Sequence, residues 1–322
     1  MAIKGSGSSL SFSEIEADFG SNGTRSLGSY RLSQNVGSLS NLPLDSGIPK
    51  SGTIKFSDFY SKRLNVVVDC HSGGDETRTI AKNDKWNNNQ LTVIGGFRSK
   101  KEGGSKIIIN VNKKFCSNKN ATSRCALRTG SWSSSATVQV DVGSSGRILG
   151  SGGNGGRGQN GVDGSAQGGF TGTSGLGIEV NNCTVNVASG GIIRAGFGGG
   201  GGGGGGREVD KGEDRRASGG GGGGGAGCPP GNGGPGGSTG AGGQAGDSGS
   251  ETAGGSGGSG GNNDGEAGGQ TGGSGGQAQG GPGGAQGGAG ANGAAIRRTS
   301  GFSVSINNNG TIQGSRTATG TS

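Results

Sequence analysis

Val140-Asp141-Val142-Gly143-Ser144-Ser145-Gly146-Arg147-Ile148-Leu149-Gly150 is the stretch on which the fold turns. An alternating apolar strand enters a turn carrying Gly and Ser, and a second alternating strand leaves it, the period-two pattern of half-buried β-structure. The phrase returns twice. Val185-Asn186-Val187 is followed by Gly191, Ile193 and Ala195, and Val304-Ser305-Ile306 by Gly310, Ile312 and Gly314, at the same offsets. A phrase repeated at fixed offsets is one supersecondary unit used three times, here a β-hairpin or a β-solenoid rung.

A long glycine tract separates the second copy from the third, so the tract reads as an insertion between rungs of one β-element. The chain has 322 residues, 86 of them Gly and only 26% apolar, so a side-chain core cannot run through all of it. Such a composition argues first for disorder, because ordering glycine costs backbone entropy and buries no side chain. The tract nevertheless has a rhythm. Gly152-Gly153 and Gly155-Gly156, then Gly254-Gly255, Gly257-Gly258 and Gly260-Gly261, then Gly272-Gly273 and Gly275-Gly276, recur every three residues. Three residues per turn is the period of the extended polyproline-II-type helix, whose N–H and C=O groups point sideways and need partners when buried. Several such helices side by side, with glycine at each contact, would make a sandwich held by main-chain hydrogen bonds. Each bond contributes about 1 kcal/mol net against roughly 1–2 kcal/mol per ordered residue, so only a large array can form. Collagen fits less well: only six prolines occur, and the Gly-X-Y phase breaks at Gln277-Ala278-Gln279 and in the unbroken run Gly198 to Gly206.

Upstream, Leu64 to Val68, Leu91 to Ile94 and Ile107 to Val111 are β-branched runs between Gly, Asn, Asp and Lys turns, and predict a small β-domain with Trp86, Phe97, Phe115 and Trp132 as packing residues. Still earlier, Ser9-Leu10-Ser11-Phe12-Ser13-Glu14 and Thr53-Ile54-Lys55-Phe56-Ser57-Asp58 are related phrases, each read as a strand end running into a capped helical turn. Between them the Ser- and Gly-rich sequence around Leu42-Pro43-Leu44 is too poor in apolar residues to fold by itself and is expected to be ordered by a partner. No apolar run of signal-peptide or membrane-span length occurs.

The chemistry of sites is thinly represented. His71 is the sole histidine and has no nucleophile–base–acid pattern around it. The five cysteines are odd in number and lack zinc-site or redox spacing; they read as buried or free thiols, with a Cys116–Cys125 bridge left open. GxGxxG matches mean nothing among 86 glycines, and no GxxxxGK[ST] occurs. The formal charge of +8 sits mainly at the front of the chain, and arginines among the glycines lack the interleaved aromatics of nucleic-acid binders. We therefore expect no enzyme, no metal, no cofactor and no nucleic-acid partner. In a glycine-helix sandwich only the loops offer side chains for specificity, and the candidate contact loops are 157–176, 207–217, 227–239 and 262–271. Their candidate contact residues are Arg157, Phe170, Arg207, Glu208, Val209, Asp210, Lys211, Glu213, Asp214, Arg215, Arg216, Asn262 and Asp264.

Gly150-Ser151-Gly152-Gly153-Asn154-Gly155-Gly156-Arg157-Gly158, Ser189-Gly190-Gly191-Ile192-Ile193-Arg194-Ala195-Gly196-Phe197 with the glycines after it, and Ile306-Asn307-Asn308-Asn309-Gly310-Thr311-Ile312 resemble the receptor-binding tip adhesins of T-even phage long tail fibres. The two N-terminal phrases look like the modules that open structural proteins of marine T-even-like phages. The resemblance implies a polyglycine-II sandwich, an N-terminal part attached to a trimeric fibre or other virion protein, and distal loops that bind a bacterial outer-membrane protein or surface glycan. It also implies a virion protein made in the host cytoplasm.

The resulting expectation is a mainly β chain with polyglycine-II helices: an attachment module at 1–63, a small β-domain at 64–136, and at 137–322 a β-hairpin or solenoid element carrying the glycine-rich sandwich. Phe12, Ile15, Phe56, Phe59 and Tyr60 are the expected fibre-attachment residues. The leading function is a tail-fibre tip adhesin. The alternatives are a baseplate, connector or head-decoration protein using the glycine domain as a rigid spacer, and, last, an ice-binding protein.

Overall fold

The computed structural model describes residues 4–19, 26–30, 35–36, 39–40, 49, 52–61, 65–70, 78–79, 91–94, 106–117, 121–130, 137–161, 164–210, 213–263, 266–267 and 287–321. His71, Trp86, Phe97, Trp132, Lys211, Asp264 and the Leu42-Pro43-Leu44 and Gln277-Ala278-Gln279 stretches lie outside them. The chain is mainly β with very little helix. After a helix α1 (Phe12–Phe19) come two short strands β1 (Asn35–Val36) and β2 (Leu39–Ser40). The strands that carry the fold follow: β3 (Asn65–Cys70), β4 (Arg78–Thr79), β5 (Leu91–Ile94), β6 (Lys106–Val111), β7 (Lys114–Cys116), β8 (Cys125–Arg128), β9 (Thr137–Val142), β10 (Arg147–Leu149) and β11 (Ser174–Ile178). Next are β12 (Cys183–Val187), β13 (Ile192–Arg194), β14 (Gly206–Asp210), β15 (Glu213–Ala217), β16 (Asn262–Asn263), β17 (Glu266–Ala267), β18 (Ile296–Arg298), β19 (Val304–Asn308), β20 (Thr311–Gln313) and β21 (Ala318–Thr319).

Three sheets share these strands, in the orders β19-β12-β9-β6-β3-β5, β20-β13-β10-β7 and β21-β18-β11-β8-β4. From β6 onward the chain visits first, second and third sheet in the same cyclic order, and apart from β5 on β3 every pairing within these sheets is parallel. The two strands of each repeated phrase therefore lie in different sheets and pair with their counterparts in neighbouring copies. The hairpin alternative drops away.

Stacking in register makes ladders of like residues on the inner faces. Ile109, Val140, Val185 and Ile306 align in the first sheet, Phe115, Ile148, Ile193 and Ile312 in the second, and Leu127, Leu176 and Ile296 in the third. They form one continuous apolar cluster, fully buried until the last copy, where Val304, Ile306 and Ile312 are half-buried. Burial of each such aliphatic side chain contributes about 1.5–3 kcal/mol. Outward positions of β9 and β12 alternate to polar residues, as the period-two pattern predicts.

One offset differs from the sequence alignment. Ile306 sits opposite Val185 and Val304 opposite Cys183, whereas Ile312 sits opposite Ile193. The turn of the third copy is two residues shorter than in the others. A slip of two keeps every side chain on its original face, so the pattern alone could not reveal it.

The glycine tracts leave the sheets at one corner. Residues 150–173 join β10 to β11 and residues 195–295 join β13 to β18, both between a second-sheet and a third-sheet strand, where β7 and β8 are joined by 117–124. The glycines run as extended segments side by side: 150–159, 167–173, 196–203, 218–227, 231–237, 241–250, 255–261 and 287–293. Their main-chain bonds recur every third residue. Gly153, Gly156 and Gln159 donate to Phe197, Gly200 and Gly203, while Gly152, Gly155 and Gly158 donate to Pro229, Asn232 and Pro235, all at 2.8–3.0 Å. Each segment thus satisfies successive N–H groups on different neighbours, as buried backbone requires.

Position in the bundle explains which residues are glycine. Segments 196–203 and 218–227 are enclosed and almost wholly buried, and both are nearly pure glycine. A Cβ on Gly199 would lie 2.0 Å from Asn154 O, and one on Gly222 2.0 Å from Gly200 O. Outer segments release every third position, so Asn154 and Arg157, Asn232 and Pro235, Gln244 and Asp247, and Ser256 and Ser259 punctuate them.

The two N-terminal phrases fold onto each other. Ser11 and Glu14 cap α1 reciprocally, the Ser11 N–H donating to the Glu14 carboxylate at 2.8 Å and the Glu14 N–H to Ser11 Oγ at 3.3 Å. Lys4 and Ser11 hold the Glu14 carboxyl down to about 2. A 3₁₀ turn spans Phe56–Phe59, the Lys55 N–H donating to Asp58 at 2.7 Å. The Phe12 and Phe56 rings meet edge to face at 4.9 Å, and Tyr60 Oη donates to Ser8 O at 2.6 Å. The helical half of each phrase is as read from the sequence; the residues before it, 9–11 and 53–55, pair with no strand among the described residues.

Candidate functional site

Bond order defines the two ends of the glycine bundle. Residues 150, 173, 196, 227 and 293 lie against the sheets, and residues 159, 203, 219, 237 and 261 lie at the far end. At the far end the glycine tract is interrupted by hairpins. There β14 and β15 form an antiparallel hairpin in which Arg207 faces Arg216, Glu208 faces Arg215, Val209 faces Asp214 and Asp210 faces Glu213. A second hairpin pairs Asn262 with Ala267 and Asn263 with Glu266, and the two hairpins lie side by side, β15 against β16 and β14 against β17.

Three polar residues fix the hairpin roots. Gln159 is buried, its Oε1 accepting the Gly205 N–H at 3.1 Å while its Nε2 donates to Gly164 O at 3.2 Å. Ser218, also buried, accepts from the N–H groups of Gly161 and Thr239 at 3.0 Å each and donates to Thr239 O at 2.6 Å. Asn160 Oδ1 accepts the Ser238 N–H at 2.9 Å. Sequence reading passed over all three; the signal available was that each breaks a glycine run beside a charged or turn-forming stretch.

Of the sequence-predicted contact residues, Arg207 to Asp210, Glu213 to Arg216 and Asn262 come together on the two hairpins. Arg157 and Phe170 stand apart, exposed on neighbouring outer segments, Phe170 with 42% of its surface open. The loop 227–239 divides: Pro229 and its neighbours turn at the sheet end, whereas 238–239 belong to the far end. Of the expected attachment residues, Ile15 and Phe59 are completely buried, and Phe12, Phe56 and Tyr60 are half-buried.

The sheet end is fastened to the second sheet. Cys116 on β7 is joined to Cys228 by a disulfide, and Cys70, Cys125 and Cys183 are buried thiols outside that bridge. The Cys116–Cys125 alternative is thereby replaced: Cys116 is taken up by Cys228, and Cys125 lies instead beside Gly177 and Arg128. Burial pushes the Cys125 and Cys183 thiols up to about 12. Glu251, in the turn between segments 241–250 and 255–261, pairs with Lys114 and lies 3.4 Å from Arg147, and its carbonyl accepts from Arg194 Nη1 at 2.5 Å. These cations, Lys114 foremost, hold the Glu251 carboxyl below its usual range. Among the described residues no three His, Cys, Asp or Glu side chains gather as a metal-binding group.

Residues 75–317 match a protein family described as the phage tail fibre adhesin Gp38. No curated protein and no solved structure matches the chain significantly.

Proposed function

The chain belongs to the phage tail fibre adhesin Gp38 family, and from that premise we propose how it meets the host. It is a tail-fibre adhesin, a component of the virion that recognises the host surface. We assign it to the tips of T-even-type long tail fibres, on the strength of the glycine phrases quoted above. In this reading each glycine segment is a polyglycine-II helix and the rungs are turns of a β-solenoid. Bonds recurring every third residue, together with the carbonyls that a Cβ would strike, support the first; the cyclic order of the three sheets supports the second. At about 3.1 Å per residue a polyglycine-II segment such as 150–159 would carry its far end roughly 28 Å from the sheets.

The receptor contact proposed is the pair of hairpins at that far end, with Arg207, Glu208, Val209, Asp210, Lys211, Glu213, Asp214, Arg215, Arg216, Asn262 and Asp264 as contact residues. Arg157 and Phe170 would extend the contact down one flank. Residues 1–63 serve as the attachment module for a trimeric fibre, 64–136 as a β-platform and 137–322 as the glycine-rich domain, joined to the platform by the pairing of β6 with β9. Ile15 and Phe59 join the buried cluster of the strands and so fasten the module to the β-core, leaving the half-buried Phe12, Phe56 and Tyr60 to contribute surface. The partner on the host is an outer-membrane protein or surface glycan, bound reversibly and without covalent chemistry.

The observation that carries this reading is the placement of mixed-charge residues on two adjacent hairpins at one end of a bundle whose described residues otherwise include few charged ones. The test is binding of fluorescent full-length protein to host cells, compared with a variant in which 207–216 is replaced by Gly and Ser. Loss of binding with the melting temperature unchanged is expected. Equal binding by both proteins would move the receptor contact off the hairpins.

A further inference from the structure

A groove of about 760 Å³ runs along the corner between the first and second sheets, away from the distal hairpins. It crosses four successive copies of the β-unit, through Asn112, then Asp141 and Ser144, then Asn186, then Asn307 and Asn309. At a strand spacing near 4.8 Å its floor is about 14 Å long. Its size falls in the range of ligand pockets rather than packing defects.

The floor is an amide ladder built by the register of the first sheet. Asn307 Nδ2 donates to Asn186 Oδ1 at 2.8 Å, and Asn186 Nδ2 donates to Asp141 Oδ1 at 2.6 Å. Gln139 Nε2 donates to both Asp141 oxygens, at 2.9 and 2.8 Å. Among the described residues, the one carboxylate lining the groove is thus already hydrogen-bonded, and no cationic side chain lines it. Gly143 keeps its Cα bare beside the ladder, since a Cβ there would lie 2.0 Å from Asn112 Oδ1. Asn186 spends one donor and one acceptor on its neighbours and Asn307 one donor, so each keeps an N–H and a lone pair that a ligand can meet.

We propose that this groove binds a neutral, polyhydroxylated ligand, namely consecutive sugar residues of a bacterial surface glycan, as a second contact independent of the hairpins. Paired donors and acceptors repeating at strand spacing match hydroxyl groups, which also donate and accept at once. A protein partner is the poorer fit, because the described lining lacks the Trp, Tyr or Arg anchors that dominate protein interfaces. A charged ligand would find no unspent counter-charge.

The test is binding of the full-length protein to a printed array of bacterial surface oligosaccharides, run with two variants. Asn307→Ala/Asn309→Ala changes two exposed residues of the groove; the other variant replaces 207–216 by Gly and Ser. Oligosaccharide binding by the parent, kept by the hairpin variant and weakened at least tenfold by the double substitution at unchanged melting temperature, is the expected result. No binding by the parent overturns the proposal, and so does binding lost with the hairpin but kept by the double variant. Unchanged sugar binding alongside weakened capture of tail-fibre protein by the double variant overturns it in favour of a virion contact. The cell-binding test of the hairpins stands or falls separately, since it reads a different variant.

Discussion

Gly222 lies in the middle of the enclosed segment 218–227, and a methyl group there has nowhere to go. Its Cβ would stand 2.0 Å from Gly200 O, 2.5 Å from Gly200 C and 2.7 Å from Gly201 O, all backbone atoms. Relieving the overlap means moving 218–227 away from 196–203 by more than an ångström. The bonds between those two segments are Phe197 to Ala226, Gly200 to Gly223 and Gly203 to Gly220, each 2.8 Å. Losing most of them without water to replace them costs about 1–3 kcal/mol per stranded group, so Gly222→Ala should destabilise by about 3–5 kcal/mol. Gly288 is the control, because nothing lies within 4 Å of its Cβ position. There alanine should be neutral or stabilise by about 0.4–1 kcal/mol through the unfolded chain. Calorimetry of the two full-length variants measures the contrast. At on the order of 2 °C per kcal/mol, Gly222→Ala should melt roughly 6–10 °C below the parent and Gly288→Ala at or slightly above it. Two variants melting within a degree of each other would refute the close-packed arrangement of the glycine segments.

Further outcomes follow from the packing and the charges. Ile148→Ala, in the buried ladder between Phe115 and Ile193, should cost about 2–5 kcal/mol by chemical denaturation, whereas Ile312→Ala in the half-buried last copy should cost less than half as much. Replacing Cys116 and Cys228 by Ser opens a loop of 112 residues and should lower stability by about 4–5 kcal/mol, read as a melting shift that reducing agent produces in the parent but not in the variant. Cys125 and Cys183, with thiols pushed up to about 12, should resist alkylation at pH 8 until denaturant is added. Glu251 is lowered when folded, so its contribution is full above the ordinary glutamate range and disappears as pH falls through the folded value. Glu251→Gln should therefore melt below the parent at pH 7, by about 1 kcal/mol for a partly exposed pair, and the difference should close in acid.

Much of the fold was legible because its elements announce themselves by period. The repeat at 140, 185 and 304 located three of the stacked copies, and the Gly-Gly doublets located the extended segments, since only glycine fits where two of every three residues face another backbone. The pure runs 198–206 and 219–225 carry no three-residue rhythm of their own, and enclosure on all sides is what forces them. The two-residue shortening before Ile312 was invisible, because it preserves the inward and outward alternation. The Cys116–Cys228 pairing was equally hidden: 112 residues apart, the two meet only because the tract returns to the second sheet. At the candidate site the charged interruption at 207–216 and the asparagines at 262–263 stood out, and their adjacency depends on which extended segments are neighbours, which spacing does not encode. Asn186 and Asn307 are outward polar residues of their strands, and only stacking in register turns them into a ladder.

Hydrogen exchange of the full-length protein with and without host outer-membrane vesicles tests the central claim most directly. The account predicts slowed exchange at 206–217 and 262–267 on vesicle binding, with the proposed attachment module at 4–19 and 52–61 unchanged. Slowing at 4–19 and 52–61 with 206–217 exchanging as in the free protein would contradict it.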